Sequence, residues 1–548
     1  MRSEILQGNF KKALKIVQAE PSFKEKKSQL LYNMEQGLLY HLMGHYKQSL
    51  FHLSRAKEIH KKLYTIALKN KLQTLVTNET FDLFYGEVFE RSLLHFYLAL
   101  NHISLYQKGQ VRVPAPEGKK PLIKKLSDKE KRTHLLSARA EVVAWDSFLD
   151  SQQISRRGKS VFKNDLLAKT FGAFVHETIN TPTELQIALQ LYKDAKILLF
   201  RNYNSYKTFN HFSKKFKSNF EKLPKWRKNK IKKEFISQTP YSNELEAFLN
   251  FKILELTKKV RPYEMEKMIR IHNIDKKTVH RVQKASRPTN VAFMIQRGLI
   301  PAKVASKQHY SLESALTPDN PSKTQREIAK VGSFVLLAYA ANELGLFPPA
   351  HRYDPVGAEI GVRFTQYSTQ GLAISFELPK IKNKKIREHL SLEIYNENDE
   401  LAWKGPLSIV APLGDIAEEA IAEYSAALYP KLGARLALKH LGAIFASYLT
   451  YKHMTKDKGP NYFAKLAAAG QYLAVSAVIE ASETADTRYW SSLPSNIRMA
   501  NAYLKKGTYK IKMIISKKDI NSPQKRVISL GNLTIENEKK KKIFNYRR

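Results

Sequence analysis

The stretch Gly37-Leu38-Leu39-Tyr40-His41-Leu42-Met43-Gly44-His45-Tyr46-Lys47-Gln48-Ser49-Leu50-Phe51-His52-Leu53-Ser54-Arg55-Ala56 decides the fold of the front of this chain. Gly37, Tyr40, Gly44, Tyr46, Ser49, Leu53 and Ala56 fall at relative offsets 0, 3, 7, 9, 12, 16 and 19. Small residues such as Gly37, Ser49 and Ala56 let two antiparallel helices approach, while Tyr40, Tyr46 and Leu53 fill the space between and beside them. The segment therefore predicts a tight helical hairpin.

The same offsets match the small and aromatic positions of a tetratricopeptide unit, although Asn33 stands where a large aromatic is expected four residues before Gly37. Downstream, Phe81–Glu90 and Leu93–Leu100 continue a helical period. A second pair is predicted at Leu166–Asn180 and Glu184–Phe200, where Ala188, Tyr192 and Ala195 repeat the i, i+4, i+7 pattern and Thr181-Pro182 marks the turn. Residues 1–200 read as an irregular tetratricopeptide-like α-solenoid, interrupted by a polar loop at 113–118. Upstream, Gly8, Phe10, Ala13 and Val17 have the spacing of a unit's turn and second helix, with only a few residues where its first helix should be. Two readings are open: the natural chain starts further upstream with a leader, one that carries a lipid-bearing cysteine, or a short atypical helix caps the array.

At about 150 residues per domain, 548 residues suggest three or four domains or one long array. The composition, 43% hydrophobic and 26% charged, is that of a globular chain. No window approaches about 18 uninterrupted apolar residues, so no transmembrane helix is expected. With no cysteine in the sequence, disulfides, Cys-ligated zinc, iron–sulfur clusters and thiol catalysis are excluded. A formal net charge of +42 favours acidic partners.

Between Arg201 and Lys233 twelve Lys/Arg stand against Glu221 alone. Lys214, Lys215, Lys217, Lys225, Arg227, Lys228, Lys230, Lys232 and Lys233 are candidate polyanion ligands, interleaved with rings that offer stacking faces. The competing explanation is an amphipathic helix, because Phe209, Phe212, Phe216 and Phe220 are spaced 3, 4 and 4. Residues 201–287 form this basic helical extension. Beyond it, residues 288–548 read as a β-rich domain, sandwich-like or barrel-like, with helical insertions across 417–480. Strands are expected at Val291–Pro301, Gly371–Leu378 ended by Pro379, Leu390–Tyr395, Leu401–Val410 with an irregularity at Gly405-Pro406, and Tyr509–Ile515. Arg526–Ile535, with a turn at Gly531-Asn532, and Lys542–Tyr546 complete the set. Helices are expected at Ala417–Leu428, Leu432–Tyr451 and Phe463–Glu480. Leu390–Pro430 holds eight acids against Lys404, so docking of this stretch onto the basic extension explains both.

Taken in order, Glu35-x-Gly37 with Gly44-x-Tyr46, Tyr85-Gly86-x-x-Phe89-Glu90, Gly298-Leu299-x-Pro301 and Ala485-Asp486-Thr487-Arg488-Tyr489-Trp490-Ser491-Ser492-Leu493-Pro494 resemble an uncharacterised bacterial family that joins tetratricopeptide-like helices to a C-terminal β-rich domain. The resemblance implies an exported, often lipoprotein-like protein, frequently encoded beside small outer-membrane lipoproteins, and supplies no catalytic residues. This chain departs from it in lacking a leader and a cysteine and in its long basic segment. Within the motif, Asp486 and Arg488 are suited to a local salt bridge or Asx turn, Trp490 to a large buried anchor, and Leu493-Pro494 to a stop before a strand led by Ile497. A corner plug between helices and sheet is favoured over a ligand site.

No phosphate loop, dinucleotide fingerprint, His-Glu-x-x-His or nucleophile elbow is present. His41 and His45 share a helix face without an acidic third ligand, and Glu418-Glu419 and Asp399-Glu400 are expected on solvated positions. The sequence is read as a non-enzymatic binding or scaffold protein without cofactor or metal. Its expected partner is a protein or peptide of the bacterial envelope, held on a concave helical surface by Asn33, Gln36, Tyr40 and His41. Polyanion binding through 201–233, to nucleic acid, anionic lipid or acidic polysaccharide, is the alternative. The location is the periplasm or outer-membrane periphery if a leader precedes Met1, and otherwise the cytoplasm.

Overall fold

The computed structural model describes residues 1–69, 83–113, 122–155, 164–209, 239–311, 373–384, 386–455, 484–517 and 524–547, with Phe162 and scattered positions from 463 to 479. The front is helical: α1 (Arg2–Leu6), α2 (Phe10–Ala19), α3 (Pro21–Lys24), α4 (Gln29–Leu42), α5 (Tyr46–Lys69), α6 (Val88–Lys108), α7 (Asp128–Ser155), α8 (Leu166–Ile179) and α9 (Pro182–Arg201). Three more helices follow, α10 (Pro240–Val260), α11 (Met265–Ile271) and α12 (Lys276–Lys284). From α4 to α10 each helix packs against the next in the chain.

Local chemistry explains the hairpins. A Cβ on Gly37 would stand 2.5 Å from Leu53 Cδ2, so only glycine lets α5 approach α4 this closely. Ser49 Oγ then donates to the Gly37 carbonyl at 2.6 Å across the same contact. Thr181 caps α9, accepting from Glu184 N, with Pro182 at the first helical position. Where a helix is expected across Phe81–Glu90, Phe81 and Asp82 lie outside the described residues, and those from Leu83 are non-helical until α6 begins at Val88. Gly86 has φ +68, and Glu87 with Glu90 closes a capping box that starts α6 there.

The second half builds β3 (Val291–Arg297), β4 (Lys303–Ser311), β5 (Ala373–Ile381), β6 (Glu388–Tyr395), β7 (Leu401–Pro406), β8 (Ser408–Ala411), β9 (Asn496–Ala502), β10 (Gly507–Lys517), β11 (Gln524–Ile535) and β12 (Lys542–Arg547). An earlier hairpin, β1 (Gln110–Val113) with β2 (Leu122–Lys125), stands between α6 and α7. One four-stranded sheet runs β12-β3-β9-β8 and a second β11-β10-β6-β7, while β4 pairs with β5 alone. Val291, Phe293 and Ile295 share a core with Leu390, Leu392, Ile394, Ile511 and Met513 of the second sheet. On the other face Ala292 and Met294 join Met499, Ile543 and the helices in one cluster. Both faces of β3 are therefore covered, which is why Val291–Ile295 is an unbroken apolar run.

Several boundaries differ from expectation. Leu401–Val410 is two strands, one on the edge of each four-stranded sheet, and the chain changes sheets at Leu407 beside Gly405-Pro406. Pro379 does not end a strand; it pairs with Ala305 inside the β4–β5 ladder. Gly531 makes no turn. It carries φ +96 where the β10–β11 register slips, a bulge within a continuous strand. Pro430 does not separate two helices, because α13 (Leu413–Thr455) runs through it. Among the described residues no helix is long and apolar enough to cross a membrane.

Candidate functional site

The Asp486–Pro494 motif meets the helices at two buried carboxylates. Trp490 N donates to Glu90 Oε1 at 2.6 Å, and Ser491 N and Oγ donate to Glu35 Oε1 at 2.7 and 2.8 Å. Trp490 is wholly buried, its ring 5.8 Å from that of Tyr97. Asp486 accepts from Arg488 N and Nε and pairs with Nη2 at 2.8 Å, forming both the Asx turn and the ion pair. The Arg488 guanidinium also lies 5.7 Å from the Phe84 ring centre. Leu493 is buried, its carbonyl takes Ile300 N, and after Pro494 the amide of Ser495 donates to the Arg297 carbonyl. The motif thus fastens β3 and β9 to α4 and α6. Burial, then the charge of Glu87, pushes the Glu90 carboxyl up to about 7. Burial raises the Glu35 carboxyl against the opposing pull of the neighbouring Ser492 and Ser491, and its Oε2 meets no donor among the described residues.

The expected partner-binding face of α4 is mostly closed. Asn33, Gln36 and His41 are buried, and their polar atoms are taken up within the chain. Asn33 Oδ1 bonds His52 Nδ1 at 3.2 Å, and Gln36 Oε1 accepts from Gln18 at 3.2 Å. His41 bonds Asn101 Oδ1 through Nδ1 at 2.7 Å and Asn545 through Nε2 at 3.1 Å. Since the Asn545 amide donates to Nε2, Nδ1 carries the proton and the ring is neutral. Burial pulls its pKa down to about 4. These three residues therefore cannot be open partner contacts: the nearby helices α2, α5 and α6, and β12 from the far end of the chain, close over α4. Only Tyr40 keeps partial exposure, stacked on His52 with ring centres 5.3 Å apart.

His41 begins a buried polar chain across the helix–sheet boundary. Asn545 Oδ1 accepts from Gln296 at 3.0 Å, Gln296 Oε1 accepts from Tyr97 OH at 2.8 Å, and Arg547 donates to the Ser492 carbonyl at 2.7 Å. A second junction is ionic. Lys252 is 1% exposed and donates to Glu177 Oε2 at 2.9 Å and Glu255 Oε2 at 2.6 Å. Lys541 Nζ shares Glu177 Oε2 at 2.6 Å, Tyr192 OH donates to Oε1 at 2.8 Å, and Thr289 N reaches Glu255 Oε1 at 2.6 Å. Burial disfavours the Glu177 charge, but Lys252 and Lys541 outweigh it and hold the carboxyl below the usual carboxylate range. Two cations balance two anions here, which ties α8, α9 and α10 to the strands flanking Thr289 and Lys541.

A third group lies half open at the start of α10. Arg498 is fully buried, accepted by Asn496 Oδ1 and the Glu388 carbonyl, with its Nη1 unmatched among the described residues. Tyr241 stacks on His389 at 4.8 Å, and His389 Nδ1 bonds Glu244 Oε1 at 3.1 Å. Among the described residues no three His, Asp or Glu side chains converge as metal ligands.

Lys214, Lys215, Lys217, Lys225, Arg227, Lys228, Lys230, Lys232 and Lys233 lie outside the described residues, as do Phe212, Phe216 and Phe220. The described beginning of that segment is inward-facing: Tyr203, Tyr206 and Phe209 are each 1% exposed. Lys207 pairs with Glu418, and Thr208 N donates to Asp415 Oδ2 at 2.7 Å, so the basic segment's start does dock on the acidic stretch. Sequence reasoning did not single out Glu90, Glu177, Lys252, Glu255, Lys541 or Arg498 as a site. Their partners lie as far as 400 positions away, and a lone Glu or Lys in a helical period carries no local mark of burial. Compared with known proteins, the chain matches no family model, no curated protein and no solved structure.

Proposed function

We propose that the chain is a non-enzymatic scaffold that binds a protein partner at its helical front, with the sheets as a rigid base. The observation that carries this is an aromatic ladder reaching the surface. Phe51 is 61% exposed on α5 with its ring edge-on to His52 at 5.2 Å, and His52 stacks on Tyr40 of α4. Large rings held rigidly and left in water are what protein interfaces use as anchors. Chain-order packing of α4 to α10 supports an irregular solenoid of tetratricopeptide-like pairs, and the core shared by the two four-stranded sheets supports a sandwich behind it. The role we infer is assembly or maintenance of a bacterial envelope structure, a setting that rests on the family resemblance of the Ala485–Pro494 motif.

The test is site-specific photocrosslinking from position 51 in cells, with fractionation of the adduct. A discrete adduct in the envelope fraction, lost on His52→Ala, is the expected result. Diffuse labelling, or none, overturns the ladder as an interface. Polyanion binding through 201–233 is the second reading, favoured by the net charge of +42. Affinity for a polyanion that falls steeply with salt would favour it.

A further inference from the structure

The β1–β2 hairpin is an exposed strand pair at the end of α6. Leu122 is 68% and Ile123 52% exposed, and all four residues of β2 face solvent in part or whole. The hairpin is nevertheless firmly seated: Val111 is buried, and Leu126 N donates to the Gly109 carbonyl at 2.8 Å. Register sets Ile123 opposite Arg112 and Leu122 opposite Val113, with Lys124 and Lys125 completing the strand. Exposed Lys129 and Arg132 of α7 follow, and Lys108 is the last residue of the neighbouring α6. The acids described in this stretch are already engaged, Asp128 with Lys131 at 2.9 Å and Glu130 with Ser127 at 2.7 Å, while Glu117 lies outside the described residues. Lys540, from the turn before β12, reaches the same end of the molecule, within electrostatic range of Asp128.

From this juxtaposition of two water-exposed aliphatic side chains with a cluster of cations, we propose that the hairpin is a peripheral anchor for an anionic lipid surface. Ile123 enters the headgroup–acyl boundary from the face that it shares with Arg112 and Lys125, Leu122 and Lys124 flank it from the opposite face of the ribbon, and Lys129 and Arg132 add to the positive field that meets the lipid phosphates. Lipid is favoured over nucleic acid because single strands are gripped by stacking rings, and the described part of the hairpin presents aliphatic side chains with no aromatic one. The anchor is separate from the basic 201–233 segment and does not depend on the aromatic ladder.

The experiment is co-sedimentation of the full chain with phosphatidylcholine vesicles, with and without phosphatidylglycerol, at low and high salt. Wild type is expected to bind the anionic vesicles and to be released by salt. Leu122→Ser/Ile123→Ser and Lys124→Glu/Lys125→Glu should each weaken binding about tenfold or more with unchanged thermal unfolding, since their side chains already face water. Vesicle binding equal to wild type in both variants overturns the proposal, even if another basic region binds lipid. So does equal affinity for neutral vesicles, or loss of RNA binding in the variants with vesicle affinity intact.

Discussion

Replacing Lys252 by methionine would remove the ammonium that bridges Glu177 and Glu255 while keeping most of the side-chain volume. Glu177 is 1% and Glu255 8% exposed, so neither carboxylate can recover its lost partner from water. Glu177 retains Lys541 and Tyr192, whereas Glu255 retains, among the described residues, Thr289. Removing one partner from a buried ionic set costs about 3–5 kcal/mol, because the remaining charge stays desolvated. Retained Lys541 argues for the lower half of that range. Neutralising the orphan should restore part of the loss: Lys252→Met/Glu255→Gln is expected to be more stable than the sum of its single variants by more than about 1 kcal/mol. Urea unfolding followed by far-ultraviolet circular dichroism measures this as a midpoint shift at constant slope. A loss below about 1 kcal/mol for Lys252→Met, or strict additivity in the cycle, would refute a desolvated cluster.

Trp490→Ala removes a wholly buried indole packed beside Tyr97 and keeps the backbone bond to Glu90, and is expected to destabilise by about 3–5 kcal/mol in the same assay. Gly37→Val should lower the melting temperature sharply, since its Cβ would overlap Leu53; an unchanged melting curve would mean that α4 and α5 are not held at this distance. The pH dependence has two opposing parts. Burial lowers the pKa of His41 from 6.5 to about 4, so the unfolded chain takes up a proton first as pH falls. Its contribution is full above about 6.5 and is lost toward pH 4, by about 3 kcal/mol, and His41→Gln should flatten that slope. Glu90 is raised from 4.5 to about 7, so its contribution is present below about 4.5 and is lost as pH rises to about 7. Thermal scans of Glu90→Gln across pH 4.5 to 7 should rise relative to wild type toward the upper end.

By itself the sequence determined which segments pair locally. Gly37, Ser49 and Leu53 specify an approach between neighbouring helices, Thr181-Pro182 starts α9, and the short apolar runs after Pro288 announce strands, because spacing along the chain encodes contacts along the chain. The internal geometry of Asp486–Trp490 was legible for the same reason: an Asx turn and an ion pair two residues apart need no distant partner. Only the tertiary structure decided what lies on the second side of each element. It buried Asn33, Gln36 and His41 beneath α2, α5, α6 and β12, set Glu35 and Glu90 against the backbone of Ser491 and Trp490, and gathered Glu177, Glu255, Lys252 and Lys541 into one neutral set. A helix face presents the same periodicity whether water or another layer covers it. The layer that covers these faces comes partly from neighbouring helices and partly from hundreds of residues away, as with Asn545 on His41 and Trp490 on Glu90.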